Sequence, residues 1–222
     1  FTTYYKGSGI RIAPLAALNI YKSAQNQSFY LNPQGGMWDS SFWVEGSFQA
    51  NIPVVIDGNM LISNGKAVFN SELTVSKEVY IQGGSMELNG CTTIEKDFKF
   101  VSAGTLLVSD YLNVCNMETC QGTINISNGA LVQVVENLFL TPQSNTRIVG
   151  PKVSYAVIKA GSIFSEDTKL SKFMSGNIDI QSSEIRQGSR WWYADPITLD
   201  TSNTNGVIVN GNTVIQANGC NP

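Results

Sequence analysis

The 222-residue sequence contains no histidine. That absence excludes a Ser-His-Asp or Cys-His catalytic apparatus built from this chain alone, and it removes the commonest nitrogen ligand of zinc. An enzyme made from these residues would have to work with carboxylates, lysine, arginine or tyrosine. Charge is scarce as well: 14% of residues are Asp, Glu, Lys or Arg, and the formal net charge is −3 with no long run of one sign. No basic stripe is available for a phosphate backbone, so nucleic acid is not an expected partner. No run of about 18 apolar residues occurs, so no membrane-spanning helix is expected. The sequence begins at Phe1 rather than Met, as expected of a mature chain that has lost its leader or of a trimmed piece.

What the sequence does have is a repeat. Apolar anchors at Ile56, Val75, Ile94, Val114 and Val134 are spaced by 19, 19, 20 and 20 residues. A glycine stands ten residues before each of the first four: Gly46, Gly65, Gly84 and Gly104. After each anchor comes a polar or irregular triplet: Asp57-Gly58-Asn59, Ser76-Lys77-Glu78, Glu95-Lys96-Asp97, Cys115-Asn116-Met117 and Val135-Glu136-Asn137. Alternating apolar pairs then follow both the anchors (Met60/Ile62, Val79/Ile81, Phe98/Phe100, Leu138/Leu140) and the glycines (Phe48/Ala50, Ala67/Phe69, Met86/Leu88, Leu106/Val108).

Each repeat thus holds three short runs of period-2 alternation, the mark of strands with one face buried. Three strands in about 19 residues have no core of their own. Stacked as coils of a solenoid, they bury their inward side chains against the coils above and below. The expected fold is all-β: a single-domain parallel β-solenoid with three-strand coils, in which equivalent strands pair about 4.8 Å apart. An antiparallel sandwich also uses many short strands, but it does not require a constant period. The anchors, together with Val54, Phe100, Leu106 and Leu138, are expected to be buried.

Residues 1–45 do not fit this register and are rich in aromatics, including Tyr21, Phe29, Tyr30, Trp38, Phe42 and Trp43. They read as a cap or an assembly arm, with Pro14–Leu18 able to make one or two helical turns. Residues 46–222 read as solenoid, with insertions between 141 and 205. The pattern returns at Ile208–Gly219, which matches Val55–Gly65 with one extra residue. The 75 residues from Val134 to Val209 are close to four periods. In the fourth coil the register slips, so that Glu118 falls where Val79 and Phe98 stand. A carboxylate does not belong in that core. A Cys115–Cys120 disulfide would loop the segment out and leave Glu118 in water; free or buried thiols are the alternative. Four cysteines, an even number, are compatible with secretion.

Three groups of residues are candidates for function. Asp57, Glu78, Asp97 and Glu136 lie near one corner, where stacked carboxylates can bind calcium. Lys77 and Lys96 intervene, however, and a solvated mixed-charge corner is the plainer reading, so no metal or other cofactor is expected. Arg190-Trp191-Trp192-Tyr193 puts three aromatics in a row, which cannot all point inward on a strand. They suit sugar rings or a protein partner, or an insertion folded over the solenoid. Asn26-Gln27-Ser28 and Asn125-Ile126-Ser127 satisfy the N-glycosylation triplet, relevant only to a secreted eukaryotic chain.

Glycine corners with β-alternation over residues 46–140 and 206–219 resemble the parallel β-helix proteins: autotransporter-like passengers, surface adhesins and pectate-lyase-like enzymes. The resemblance is one of architecture, and such a fold hosts unrelated functions. Pectate-lyase-like enzymes use clustered Asp residues, calcium and a basic residue on one face, and no such set can be mapped here. The first expectation is a non-enzymatic structural protein, extracellular or on the cell surface, that assembles with copies of itself, head to tail into filaments. The second is a glycan-binding module using Arg190 and Trp191–Tyr193. The third is a carbohydrate-cleaving enzyme with paired carboxylates drawn from Glu166, Asp167, Asp179 and Glu184.

Overall fold

A computed structural model describes residues 10–21, 29–31, 42–119, 122–140, 147–165, 173–187, 207–210 and 214–217. All regular structure among them is strand. The chain runs through β1 (Ile10–Ile12), β2 (Ala17–Ile20), β3 (Phe29–Leu31), β4 (Phe42–Val44), β5 (Ser47–Ala50), β6 (Val54–Ile56) and β7 (Met60–Ile62). It continues through β8 (Lys66–Phe69), β9 (Leu73–Val75), β10 (Val79–Gln82), β11 (Ser85–Leu88), β12 (Thr92–Ser102), β13 (Thr105–Val108), β14 (Tyr111–Thr119) and β15 (Thr123–Ile126). The last strands are β16 (Leu131–Leu140), β17 (Arg147–Val149), β18 (Ala156–Ser165), β19 (Met174–Ser175), β20 (Ile178–Gln187), β21 (Val207–Asn210) and β22 (Val214–Ala217).

Every pairing among the described strands is parallel and joins equivalent strands of successive coils, which makes a β-solenoid. Three faces follow from the ladders. The first runs β3-β6-β9-β12 and on to β21, the second β1-β4-β7-β10-β12 and on to β22, and the third β2-β5-β8-β11-β13-β15-β17-β19. From β12 to β20 the first two faces merge into single long strands, and between β12 and β18 the register shifts at their common corner.

The anchors pair as their spacing predicts: Ile56 with Val75, Val75 with Ile94, Ile94 with Val114, and Val114 with Val134. All are at most 1% exposed, and Val54, Phe100, Leu106 and Leu138 are buried with them. The inward columns form one continuous apolar core from Ile12 to Ile180. Within it Phe42 packs edge-on to Phe48 at 4.9 Å, and Phe48 meets Phe69 at 5.3 Å. The glycines line the corner between the second and third faces. At Gly84 φ is +76°, and an added Cβ would lie 2.1 Å from the Gly65 carbonyl oxygen. Both the left-handed backbone and the close approach of the next coil therefore require glycine there.

Four expectations change. First, the ladder begins before residue 46: β1 pairs with β4, β2 with β5, and β3 with β6. The aromatics Phe42 and Trp43 alternate, with Phe42 fully buried in the core. Second, Pro14–Leu18 is not helical. Pro14 and Leu15 form a turn, with Leu15 at φ 64°, and Ala17 opens β2. Hydrogen bonding to β5 decides this locally ambiguous stretch.

Third, Val209 lies three coils beyond Val132, not four beyond Val134. It pairs with Ile180, Ile180 with Ile158, and Ile158 with Val132. It therefore stands in the column of Val54, and the three steps from Val132 to Val209 are each longer than 19 residues. Fourth, coil four does not loop out. Its corner between Val114 and Met117 has two residues where the preceding coil has three. Met117 consequently takes the inward place beside Phe98, 1% exposed. Glu118 pairs with Lys99 on the outer face. The buried carboxylate that motivated the loop does not arise.

Candidate functional site

The polar groups of the molecule concentrate at the corners and on the outer side of the second face. At the corner between the first and second faces, Ser76 Oγ donates to Asp57 Oδ1 at 2.9 Å, one coil apart. Two coils on, Asn116 acts as a bracket. Its Nδ2 donates to Asp97 Oδ1 at 3.1 Å and to Glu136 Oε2 at 3.2 Å. Its Oδ1 accepts from the backbone N–H and the Nδ2 of Asn137, at 3.1 and 3.0 Å. Both ends of this amide are satisfied by the neighbouring coils.

Around the corner, Lys99 Nζ lies 3.0 Å from Asp97 Oδ2 and 3.3 Å from Glu78 Oε1, and the Tyr80 hydroxyl donates to Glu78. Burial, then the Glu78 hydrogen bond and the Glu78 and Asp97 charges, push the Tyr80 phenol well above its ordinary value. Burial pulls the Lys99 ammonium down, but the hydrogen bonds and charges of Asp97 and Glu78 outweigh it, and the net shift is upward. The four carboxylates singled out from the sequence are thus tied to Ser76, Lys99, Tyr80 and Asn116. No group of three or more His, Cys, Asp or Glu side chains placed to hold a metal ion occurs among the described residues.

The two described thiols, Cys91 and Cys115, are not activated either. Cys91 is exposed and contacts Asp110 Oδ2 at 3.5 Å; that hydrogen bond, then burial and the acidic neighbours, raise its pKa. Cys115 is a free thiol, half-buried, and is raised by burial and by Glu136 and Asp97. Both are held as thiols, which are poor nucleophiles and poor metal ligands. Residues 115–119 run extended in β14, and Cys120 lies outside the described residues.

Two features were not singled out from the sequence. A second polar ladder climbs the corner between the third and first faces. Asn70 Nδ2 donates to Asn51 Oδ1 at 2.7 Å, Asn89 Nδ2 to Asn70 Oδ1 at 2.8 Å, and Ser109 Oγ to Asn89 Oδ1 at 3.0 Å. Its sequence signal is plain in retrospect, because Asn51, Asn70, Asn89 and Ser109 each stand five residues before an anchor. The other feature is the outward column of the second face: Arg11, Trp43, Leu61, Tyr80, Lys99, Glu118, Phe139 and Phe164, each paired with the next. The Arg11 guanidinium lies over the Trp43 ring at 4.9 Å, and Phe139 stacks on Phe164 at 5.2 Å.

Of the remaining candidates, Arg190, Trp191, Trp192, Tyr193, Asn26, Glu166 and Asp167 lie outside the described residues, as does the side chain of Glu184. Asn125 is half-buried on the outer side of β15, and Asp179 accepts from Gln181 Nε2 at 3.0 Å. No helix among the described residues is long and apolar enough to cross a membrane. No protein-family model matches this chain, and neither a curated protein nor a solved structure matches it.

Proposed function

We propose that this chain is a non-enzymatic structural protein, extracellular or on the cell surface, whose solenoid joins end to end with copies of itself. One observation carries the reading: among the described residues the parallel ladder stops at both ends in strands bonded on one side only. These are β1, β2 and β3 at one end and β19, β21 and β22 at the other. The two edges of a parallel sheet are complementary, so stacking with the same polarity continues the ladder. A heterologous contact of this kind that does not close produces filaments. The use of corner carboxylates and amides in coil-to-coil bonds supports a scaffold rather than a catalyst, and the low charge and even cysteine count suit an extracellular setting. Because β1 to β4 belong to the chain's own ladder, removing residues 1–45 would strip coils rather than a separate arm.

Sedimentation velocity across a concentration series, with electron microscopy of the same samples, tests the proposal. Concentration-dependent linear oligomers are expected, and they should persist at high salt because backbone pairing and apolar burial make the contact. A monomer at every concentration would overturn it. A second reading, a glycan-binding surface, draws on the outward column of the second face, where the half-buried rings of Trp43 and Tyr80 lie beside Arg11 and Lys99. Retention on polysaccharide without cleavage, lost in Trp43→Ala, is its expected signature; equal retention of the variant would remove it.

A further inference from the structure

The three strands at the N-terminal end are not equivalent. On β1, Ile12 is buried, its carbonyl accepts from the N–H groups of Glu45 and Gly46, and Arg11 projects outward with its guanidinium on Glu45 and over Trp43. A charged residue on an edge strand guards it against further pairing. On β2 there is no such guard: Ala13 to Tyr21 contains no charged residue. Leu18 and Ile20 occupy the columns of Phe48 and Ala50. Those two are fully buried, whereas Leu18 and Ile20 are only half-buried. Leu15 and Tyr21, which flank the strand, are 105% and 68% exposed.

Backbone direction adds the second half of the argument. The carbonyls of Ala16 and Ile20 accept from Ser47 and Asn51 of the next coil. Alternate residues of a strand direct their peptide groups to opposite sides. The N–H and C=O groups of Ala17 and Asn19 therefore face away from β5, toward the side on which no described strand pairs.

We infer that β2 is the acceptor edge of the end-to-end contact, taking a parallel strand from the C-terminal end of a second copy. The inference rests on the self-association reading above and assigns it to one strand. A second copy is the fitting occupant because each strand of this sheet from β5 to β19 pairs parallel to the one before it, so the exposed edges of β2 and β19 have the complementary polarity. The incoming strand supplies carbonyls and N–H groups to Ala17 and Asn19, and its apolar side chains cover Leu18 and Ile20.

The test is Asn19→Pro, which removes the outward N–H while leaving the Ala16 and Ile20 carbonyls bonded to the next coil, a substitution an edge strand tolerates. Asn19→Ala serves as the control, since it keeps the N–H. The Asn19→Pro association constant should fall about tenfold or more, the effect of a lost edge hydrogen bond with its neighbours, and that of Asn19→Ala should stay within about twofold of the parent. If folded Asn19→Pro associates like the parent, the acceptor assignment is overturned and the self-association reading stands. If the parent itself is monomeric throughout, the self-association reading falls and takes the assignment with it. Should Asn19→Pro not fold, amide exchange on the parent decides. Slower exchange at Ala17 and Asn19 with rising concentration supports the assignment, and concentration-independent exchange overturns it.

Discussion

The coils between Gly46 and Leu140 and those between Arg147 and Gln187 share one ladder but are built differently. In the first region paired residues lie 18 to 21 apart, and the anchor column, spaced by 19 or 20, reads Ile56, Val75, Ile94, Val114, Val134. In the second the same column continues as Ala160 and then Ser182, which is 8% exposed. Val132, Ile158 and Ile180 pair in sequence there although they are 26 and 22 residues apart. Strand pairing and inward parity are thus kept while corner length drifts. The asparagine ladder runs through coils in which Asn51, Asn70 and Asn89 are spaced by 19 residues.

Substitutions in the two regions should separate these contributions. The largest effect is expected at the anchor column. Val75→Asp places an unpaired charge at a site with no exposure and should cost about 3–5 kcal/mol in denaturant unfolding. In the same column Ser182→Ala should cost about 1 kcal/mol, because it removes a neutral hydroxyl and buries no charge. Equal costs at the two sites would mean that the column does not distinguish the regions.

Glycine corners come next. Gly84→Ala meets both a positive φ and the Gly65 carbonyl and should cost about 2–4 kcal/mol. Gly129→Ala, with φ +74° and nothing within 4 Å, should cost about 1–2 kcal/mol from the left-handed backbone alone. The difference between the two, read from thermal unfolding, measures the close approach of the coils.

A smaller loss is expected from the asparagine ladder. Asn70 both donates to Asn51 and accepts from Asn89, but it is exposed, and Asn70→Ala should cost about 1 kcal/mol. No loss at all would make the ladder a consequence of the stacking rather than a contributor to it.

The smallest effect is alkaline. A free tyrosine releases its proton at 10.0, whereas Tyr80 keeps it to higher pH in the fold. Above that pH the folded chain binds more protons than the unfolded one, so this contribution, complete below pH 10.0, is lost as pH rises toward the folded value. Lys99, raised above its ordinary 10.5, acts in the same direction. Melting temperatures measured from about pH 8 to about pH 11 should fall, and less steeply for Tyr80→Phe. Parallel slopes for variant and parent would remove Tyr80 from the account.

The sequence by itself determined the solenoid, its parallel pairing, the register of five anchors and the burial of the columns around them. It did so because period-2 alternation repeated at a constant spacing admits few folds. Tertiary contact decided where local pattern was weak. It recruited the uncharged stretch Ala17–Ile20 as a strand, because the next coil offers Ser47 and Asn51 as donors. It shortened the corner before Met117 so that the methionine, not Glu118, fills the place beside Phe98. It also turned dispersed asparagines and carboxylates into satisfied ladders. Hydrophobic period is a property of one chain segment, whereas corner length, hydrogen-bond partner and exposed edge depend on which segment lies one coil away.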